Sequence, residues 1–347
     1  MRANITLKDM AGILGVSIST VSKALSNSPE IGHETKSKVN DLAVLHKYKR
    51  NSQAYSLRSK KTNIIGIVIP QLNNEYISNV IDGITYEANK RDYKLMTYQT
   101  KDSYINEVNS INTLNGCVDG IIVSTAIQTL KINKNEHLAN LVNDKLPVVM
   151  FDRIIDTIEC DKVVSNYFES AFKATADLIK SGKRNIGLLI NPNYDYASQL
   201  WKKGYCKALA SAGINIKTDY ILQLEKNQIE YHNRIERLIS SKKLDAIISI
   251  DEIYALEVIK IAKQYAISIP NELSLLTFKG DGISKHLSPT ITNISQNGYL
   301  IGRRTAQLLF NRILGKPTEK FIVNTVTTTT THRESTGRVS QLLSISA

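Results

Sequence analysis

The stretch GVSISTVSKAL, residues 15–25, sets four hydroxyl side chains, Ser17, Ser19, Thr20 and Ser22, beside the ammonium of Lys23. Ser, Thr and Ile are middling helix formers, yet the apolar spacing marks a helix. Ser17 is a good N-cap, and Val21, Ala24 and Leu25 recur at i, i+3 and i+4 as an inner stripe. Ile18, Ser19, Thr20, Ser22 and Lys23 are thereby left outside, the short polar ones near a helix N-terminus whose free N–H groups and partial positive charge suit phosphate. These are residues for outward contact. Catalytic arrangements are missing: no G-x-x-x-x-G-K-[ST], no G-x-G-x-x-G after the first strand and no G-x-S-x-G. The six histidines show no metal-ligand spacing, and the adjacent Asp251 and Glu252 fit a strand-to-helix turn in which one serves as N-cap. Neither a metal site nor a cofactor is expected.

The elements that must hold this surface can be read on either side of it. Met10, Ala11 and Leu14 give an earlier short helix, and Gly15 ends it by taking positive φ. A third helix, about 34–46, faces in with Val39, Leu42 and Ala43. Two short helices around a tight turn, braced by a third, make a helix-turn-helix unit. Charge agrees with an outward role: up to Thr62 there are eleven lysines and arginines against four acids, more than half of the chain's net +12. Such concentration points to a polyanionic partner.

The full 347 residues suffice for two sizeable cores and a small module, at about 100–200 residues per domain. Three scattered cysteines fit a reducing compartment, so a cytoplasmic location is expected. No apolar run approaches the ~18 residues of a membrane span. Beyond the first unit the chain alternates strands and helices: IIGIVIP, then a helix, KLMTY, a helix, GIIVST, a helix and PVVMFD. That is one doubly wound layer. A second set is expected from KVVSN through a helix at 171–180, NIGLLI, a helix at 201–212, AIISI, a helix at 254–265 and LSLLTF. A last helix at about 298–314 and FIVNTVTTTT close the chain.

The segment ITLKDMAGILGVSISTVSKALSNSPEIGHETKSKV resembles the DNA-binding headpiece of the LacI/GalR (lactose-repressor) family, and the likeness continues through the chain. The resemblance implies an all-α headpiece (1–50), a hinge helix and linker (51–62), a two-lobed periplasmic-binding-protein-like α/β core (63–338) and a tail (339–347). It places the first lobe at about 63–162 and 293–322 and the second at about 163–292 and 323–338, with HREST resembling the family's final strand. By position, Ile18, Ser19 and Lys23 would read bases, while Thr6, Ser17, Thr20, Ser22 and Tyr48 would hold phosphates. In the hinge, with Asn51 and Ala54, Leu57 would enter the minor groove as an apolar wedge. For Ile18 and Leu57 the alternatives are plain packing and an ordinary linker residue. Gly32 stands where many relatives cap the third helix with Ser or Thr, and Arg50 replaces a common proline.

Ligands of open α/β sheets bind beyond the carboxyl ends of strands. There the effector candidates are Asn74, Tyr76, Thr125 and Arg153 from the first lobe and Asn166, Trp201, Asp251 and Lys279 from the second. Arg153 could instead form an interlobe salt bridge. Trp201 stands where many relatives have arginine, and Lys279 where they have aspartate, which implies a different effector polarity; a Trp can still stack on a pyranose or a purine. The resulting expectation is a ligand-responsive transcription regulator, a repressor, binding palindromic double-stranded DNA as a homodimer and controlled by a sugar-like molecule in preference to a nucleobase. The alternative is an intracellular solute receptor or sugar-processing enzyme on the same lobes.

Overall fold

The computed structural model describes residues 5–48, 61–72, 75–191, 196–225, 227–240, 243–278, 282–315 and 320–337. The chain divides into two compact units, Met1–Thr62 and Asn63–Ala347. The first contains α1 (Leu7–Leu14), α2 (Ile18–Leu25) and α3 (His33–Leu45). A capping box starts α1: Thr6 Oγ1 accepts from Asp9 N at 3.3 Å, and Thr6 N donates to Asp9 Oδ2 at 2.9 Å. The Thr6 backbone and hydroxyl donors hold the Asp9 carboxyl below the usual range. Gly15 ends α1 at φ +65°, and Ser17 caps α2 through Thr20 N at 3.1 Å. Gly32 gives α3 no side-chain cap. Met10, Ala11, Val21, Ala24, Val39 and Ala43 are buried together, with Leu14, Leu25 and Leu42 packed around them.

The second unit has two six-stranded sheets. The first consists of β1 (Ile64–Ile69), β2 (Lys94–Gln99), β3 (Gly120–Val123), β4 (Val148–Phe151), β5 (Asp161–Ser165) and β11 (Val323–Val326), ordered β11-β5-β4-β3-β1-β2 and parallel throughout. Its helices are α4 (Glu75–Asn89), α5 (Tyr104–Leu114), α6 (Ile127–Ile132), α7 (Glu136–Asn143) and α12 (Gly298–Ile313). The second consists of β6 (Ile186–Ile190), β7 (Ile221–Gln223), β8 (Ala246–Ser249), β9 (Ser274–Phe278), β10 (Thr292–Ser295) and β12 (Thr329–Thr331), ordered β12-β10-β9-β8-β6-β7. Only β12 runs antiparallel to its neighbour in that sheet. With it go α8 (Tyr167–Lys180), α9 (Tyr196–Ser211), α10 (Gln228–Ser240) and α11 (Glu252–Gln264). Strands such as IIGIVI and AIIS are apolar along their length because helices cover both sheet faces. In the first lobe α4 and α12 approach so closely that a Cβ at Gly302 would lie 1.9 Å from Val80 O.

The topology corrects several expectations. KVVSN does not open the second lobe: β5 pairs with β4 and belongs to the first sheet. FIVNTVTTTT, which closes the chain, holds β11 of the first sheet and leads into β12 of the second. The run at 293–295 joins the second sheet as β10, so the lobe boundaries near 162, 293 and 323 each move by a few residues. Between the helix expected at 201–212 and AIISI the chain makes three further elements, a 3₁₀ turn at Thr218–Tyr220, β7 and α10. HREST forms a 3₁₀ turn, Glu334–Thr336, rather than a strand.

The chain therefore crosses between lobes after β5, β10 and β11, and side chains stitch the crossings together. Asn166 Oδ1 accepts from Thr328 N at 2.8 Å and from Ser170 Oγ at 3.1 Å. Asn297 Nδ2 donates to Thr327 O at 2.6 Å and to Thr329 Oγ1 at 3.1 Å. Away from the crossings, Glu75 Oε2 of the first lobe accepts from Gly282 N at 2.6 Å, and Lys131 Nζ lies 3.6 Å from Glu225 Oε1.

Candidate functional site

In the first unit the residues of interest share the outer side of α2. Burial of Val21 and Ala24 fixes the helix rotation, so Ser17, Ile18, Ser19 and Lys23 are exposed and Thr20 and Ser22 half-buried. Ser17 Oγ lies 2.7 Å from Ser19 Oγ and 2.8 Å from Thr20 Oγ1, a hydroxyl cluster at the helix N-terminus. Ile18 is 43% exposed, so it does not pack into this unit's core. The Lys23 ammonium is ion-paired with Glu30 in the turn before α3. Thr6 is exposed, but its hydroxyl donates to Asp9 Oδ2 at 2.7 Å within the capping box. Tyr48 packs against the core just past α3. A row of short hydroxyls and one cation on a helix can hydrogen-bond phosphates and base edges, and the aliphatic Ile18 can add apolar contact to a base. Asn51, Ala54 and Leu57 lie outside the described residues.

In the second unit the strand ends of the first lobe carry a buried polar cluster. Thr125, just beyond β3, is fully buried; its N–H donates to Arg153 O at 3.1 Å, and its hydroxyl has no hydrogen-bond partner among the described residues. The same holds for the hydroxyls of Ser124, Thr100 and Ser165. Arg153 is ion-paired with Asp102, whose Oδ1 also accepts from Ile127 N at 3.2 Å. Behind them Glu107, fully buried, accepts from Thr129 Oγ1 and hydrogen-bonds His137 Nε2, each at 2.8 Å. From the second lobe come Asn293, on β10, and Gln296, just past it. Both are buried, and neither side chain has a partner among the described residues.

A helix-turn-helix unit and a two-lobed α/β core in one chain narrow the choices. The model of bacterial regulatory proteins of the lacI family matches residues 6–51, and the periplasmic binding protein-like domain matches 175–336. The chain carries a lacI-family DNA-binding domain ahead of a periplasmic-binding-protein-like one. It is 29% identical over 313 residues to catabolite control protein A of Priestia megaterium, covering 88% of this chain and 92% of that one. Among solved structures, the lac repressor dimer bound to operator and the anti-inducer ONPF superposes with a TM-score of 0.83 at 18% identity, covering 96% and 99% of the two chains. The transcriptional regulator CelR in complex with cellobiose gives 0.70 at 20% identity, covering 95% and 99%. That domain and the curated relatives support a DNA-binding transcriptional regulator, not an enzyme.

The periplasmic-binding-protein-like core gives several sequence candidates other work. Trp201 is fully buried, packed at 5.2 Å from Tyr167 and 5.1 Å from Phe278 between ring centroids, so no face of its indole is open to stack on a sugar. The oxygen of Asn166 is committed to the crossings. Arg153 forms its ion pair within the first lobe rather than across the lobes. Tyr76 lies in the first-lobe core, where burial and then the Asp152 charge push its phenol pKa up. Asp251 caps α11 through Ile253 N at 3.1 Å, the N-cap role foreseen for one of the Asp251 and Glu252 pair. Asn74 and Lys279 lie outside the described residues. Asp102, Glu107, Asn293 and Gln296 were not among the candidates. For Asn293 and Gln296 a signal existed, since TNISQ sets two amides, one on either side of its one apolar residue, Ile294, in a short strand. Among the described residues no group of three His, Cys, Asp or Glu could hold a metal ion, and no helix is long and apolar enough to cross a membrane.

Proposed function

We propose that this protein is a cytoplasmic repressor that binds a palindromic operator as a homodimer and changes affinity when a small, neutral, hydroxyl-rich molecule occupies the space between its lobes. The outer row of α2 carries the reading: hydroxyls, Ile18 and Lys23 face outward while Val21 and Ala24 anchor the helix. Ile18, Ser19 and Lys23 contact base edges in the major groove, and Ser17, Thr20, Ser22, Thr6 and Tyr48 hold phosphates. Lys23 reads guanine O6 and N7. Residues 1–50 serve as headpiece, and 51–62 as a hinge in which Asn51 and Ala54 support Leu57 as a minor-groove wedge.

Effector recognition falls to the buried hydroxyls of Ser124 and Thr125 and the amides of Asn293 and Gln296, with Arg153, Asp251 and Lys279 as the charged contacts. Neutral donors and acceptors without partners suit a sugar-like ligand better than a nucleobase, and the cellobiose bound by the CelR relative supports that class. Effector and operator couple by population shift, reciprocally and by about 1–3 kcal/mol. Titration of an operator-like palindrome at two salt concentrations tests the core of this reading. Tight binding that weakens steeply with salt is expected; no binding, or no salt dependence, refutes it.

A further inference from the structure

We propose that Glu30 is a specificity-determining residue of the headpiece: it holds the Lys23 ammonium off DNA phosphates until a base edge takes its place. The inference rests on the proposed entry of the α2 outer face into the major groove.

Four acidic residues occur in the described part of the first unit. Asp9 is committed to the Thr6 capping box, Glu34 pairs with Lys38 one turn along α3, and Asp41 accepts from Ser37 Oγ at 3.3 Å. Glu30 alone of the four pairs with a side chain expected to read a base. The turn after α2 is built to deliver it there. Lys23 O accepts from Ser26 N at 3.2 Å and from Ser28 N at 3.0 Å, and Asn27 takes φ +53°, so the chain folds back toward the end of α2. That return brings a carboxylate seven residues on to the ammonium.

The pair is exposed, at 50% for the Lys23 side chain and 66% for Glu30. Exposed ion pairs are weak and exchange readily. Phosphates occur at every step of a duplex, whereas a guanine edge with two acceptors occurs only in the right sequence. A weak internal carboxylate therefore removes one cation from the sequence-independent contact and yields it to the better partner. Glu30 thus lowers binding to wrong DNA more than binding to the operator.

The test uses full-length protein and two duplexes: one scrambled, one recovered as the tightest binder from a random pool. Affinities are measured across salt. On scrambled DNA, Glu30→Gln steepens the log–log salt slope by about 0.9, the value of one added phosphate contact, whereas Lys23→Met leaves the wild-type slope unchanged. In the Lys23→Met background the Glu30→Gln increment disappears. The ratio of selected to scrambled affinity falls several-fold in Glu30→Gln alone. An equal increment with Lys23 absent would make Glu30 a bare repulsive charge and overturn the proposal. So would an unchanged slope in Glu30→Gln, or a shallower one in Lys23→Met. A wild-type protein that binds neither duplex overturns the DNA reading itself, which the other outcomes leave standing.

Discussion

The two units place their working polar groups in opposite ways. In the first, hydroxyls and a cation stand on the outside of α2, where neighbouring hydroxyls and Glu30 engage them in reach of solvent and a few buried residues fix their direction. In the core, Thr125, Ser124, Asn293 and Gln296 point polar atoms into the interior without partners among the described residues. A buried polar group left unpaired costs about 1–3 kcal/mol. An outward site can thus be kept at almost no expense in stability, while an inward one is held in tension by the packing around it. The close fit of α4 on α12 helps carry that load, together with buried Glu87, which accepts from Arg91, Arg303 and Gln307 at 2.8–2.9 Å.

Gly302→Ala strikes the packing directly and has the largest expected effect, a loss of about 3 kcal/mol from overpacking against Val80 O. Thermal denaturation of the full chain reads it; a stability unchanged from wild type would mean that the α4 and α12 contact is not tight. Next comes acid sensitivity. Burial opposes the Glu87 charge, but the hydrogen bonds from Arg91, Arg303 and Gln307 outweigh it and hold the carboxyl at about 2. A depressed folded-state pKa stabilises above the unfolded value and is lost as pH falls, so wild type should weaken between pH 4.5 and about 2. Glu87→Gln should cost about 2 kcal/mol at neutral pH and flatten that acid limb.

On the outward side, Lys23→Ala should weaken operator binding by about 1–3 kcal/mol and relax base preference at one position per half-site. A uniform loss over all sequences would instead make Lys23 a phosphate contact. Leu57→Ala should reduce operator affinity by about 1–2 kcal/mol with effector binding intact, and equal affinity would remove the wedge. Thr125→Val is the mildest. It should leave melting within about 0.5 kcal/mol or raise it slightly, while the melting shift given by a bound sugar shrinks. A full shift would take Thr125 out of the site.

The same contrast decides what could be read from sequence. The headpiece helices, the Ser17 cap, the Gly15 turn and the outer face of α2 depend on residues within one or two helical turns, and local pattern captures them. The partner of Lys23 escaped because a turn geometry, not a spacing, delivers Glu30. In the core, the alternation of strands and helices was legible, but sheet membership was not. VVS of β5 and VNTV of β11 read alike whichever sheet receives them. Trp201 looked like a ligand platform because nothing local reveals that Tyr167 and Phe278 close over it. Asn166, at a strand end, has the profile of a binding residue, and only the return of residues 327–329 from far along the chain gives its oxygen another use.

That return has a mechanical consequence. With the last crossing tied to the first by Asn166 and to the second by Asn297, the three connections behave as one spine, and sliding or twisting of a lobe would have to break several bonds at once. Rocking about the spine breaks none of them. It would instead part the two contacts that join the lobes away from the crossings, Glu75 with Gly282 and Lys131 with Glu225.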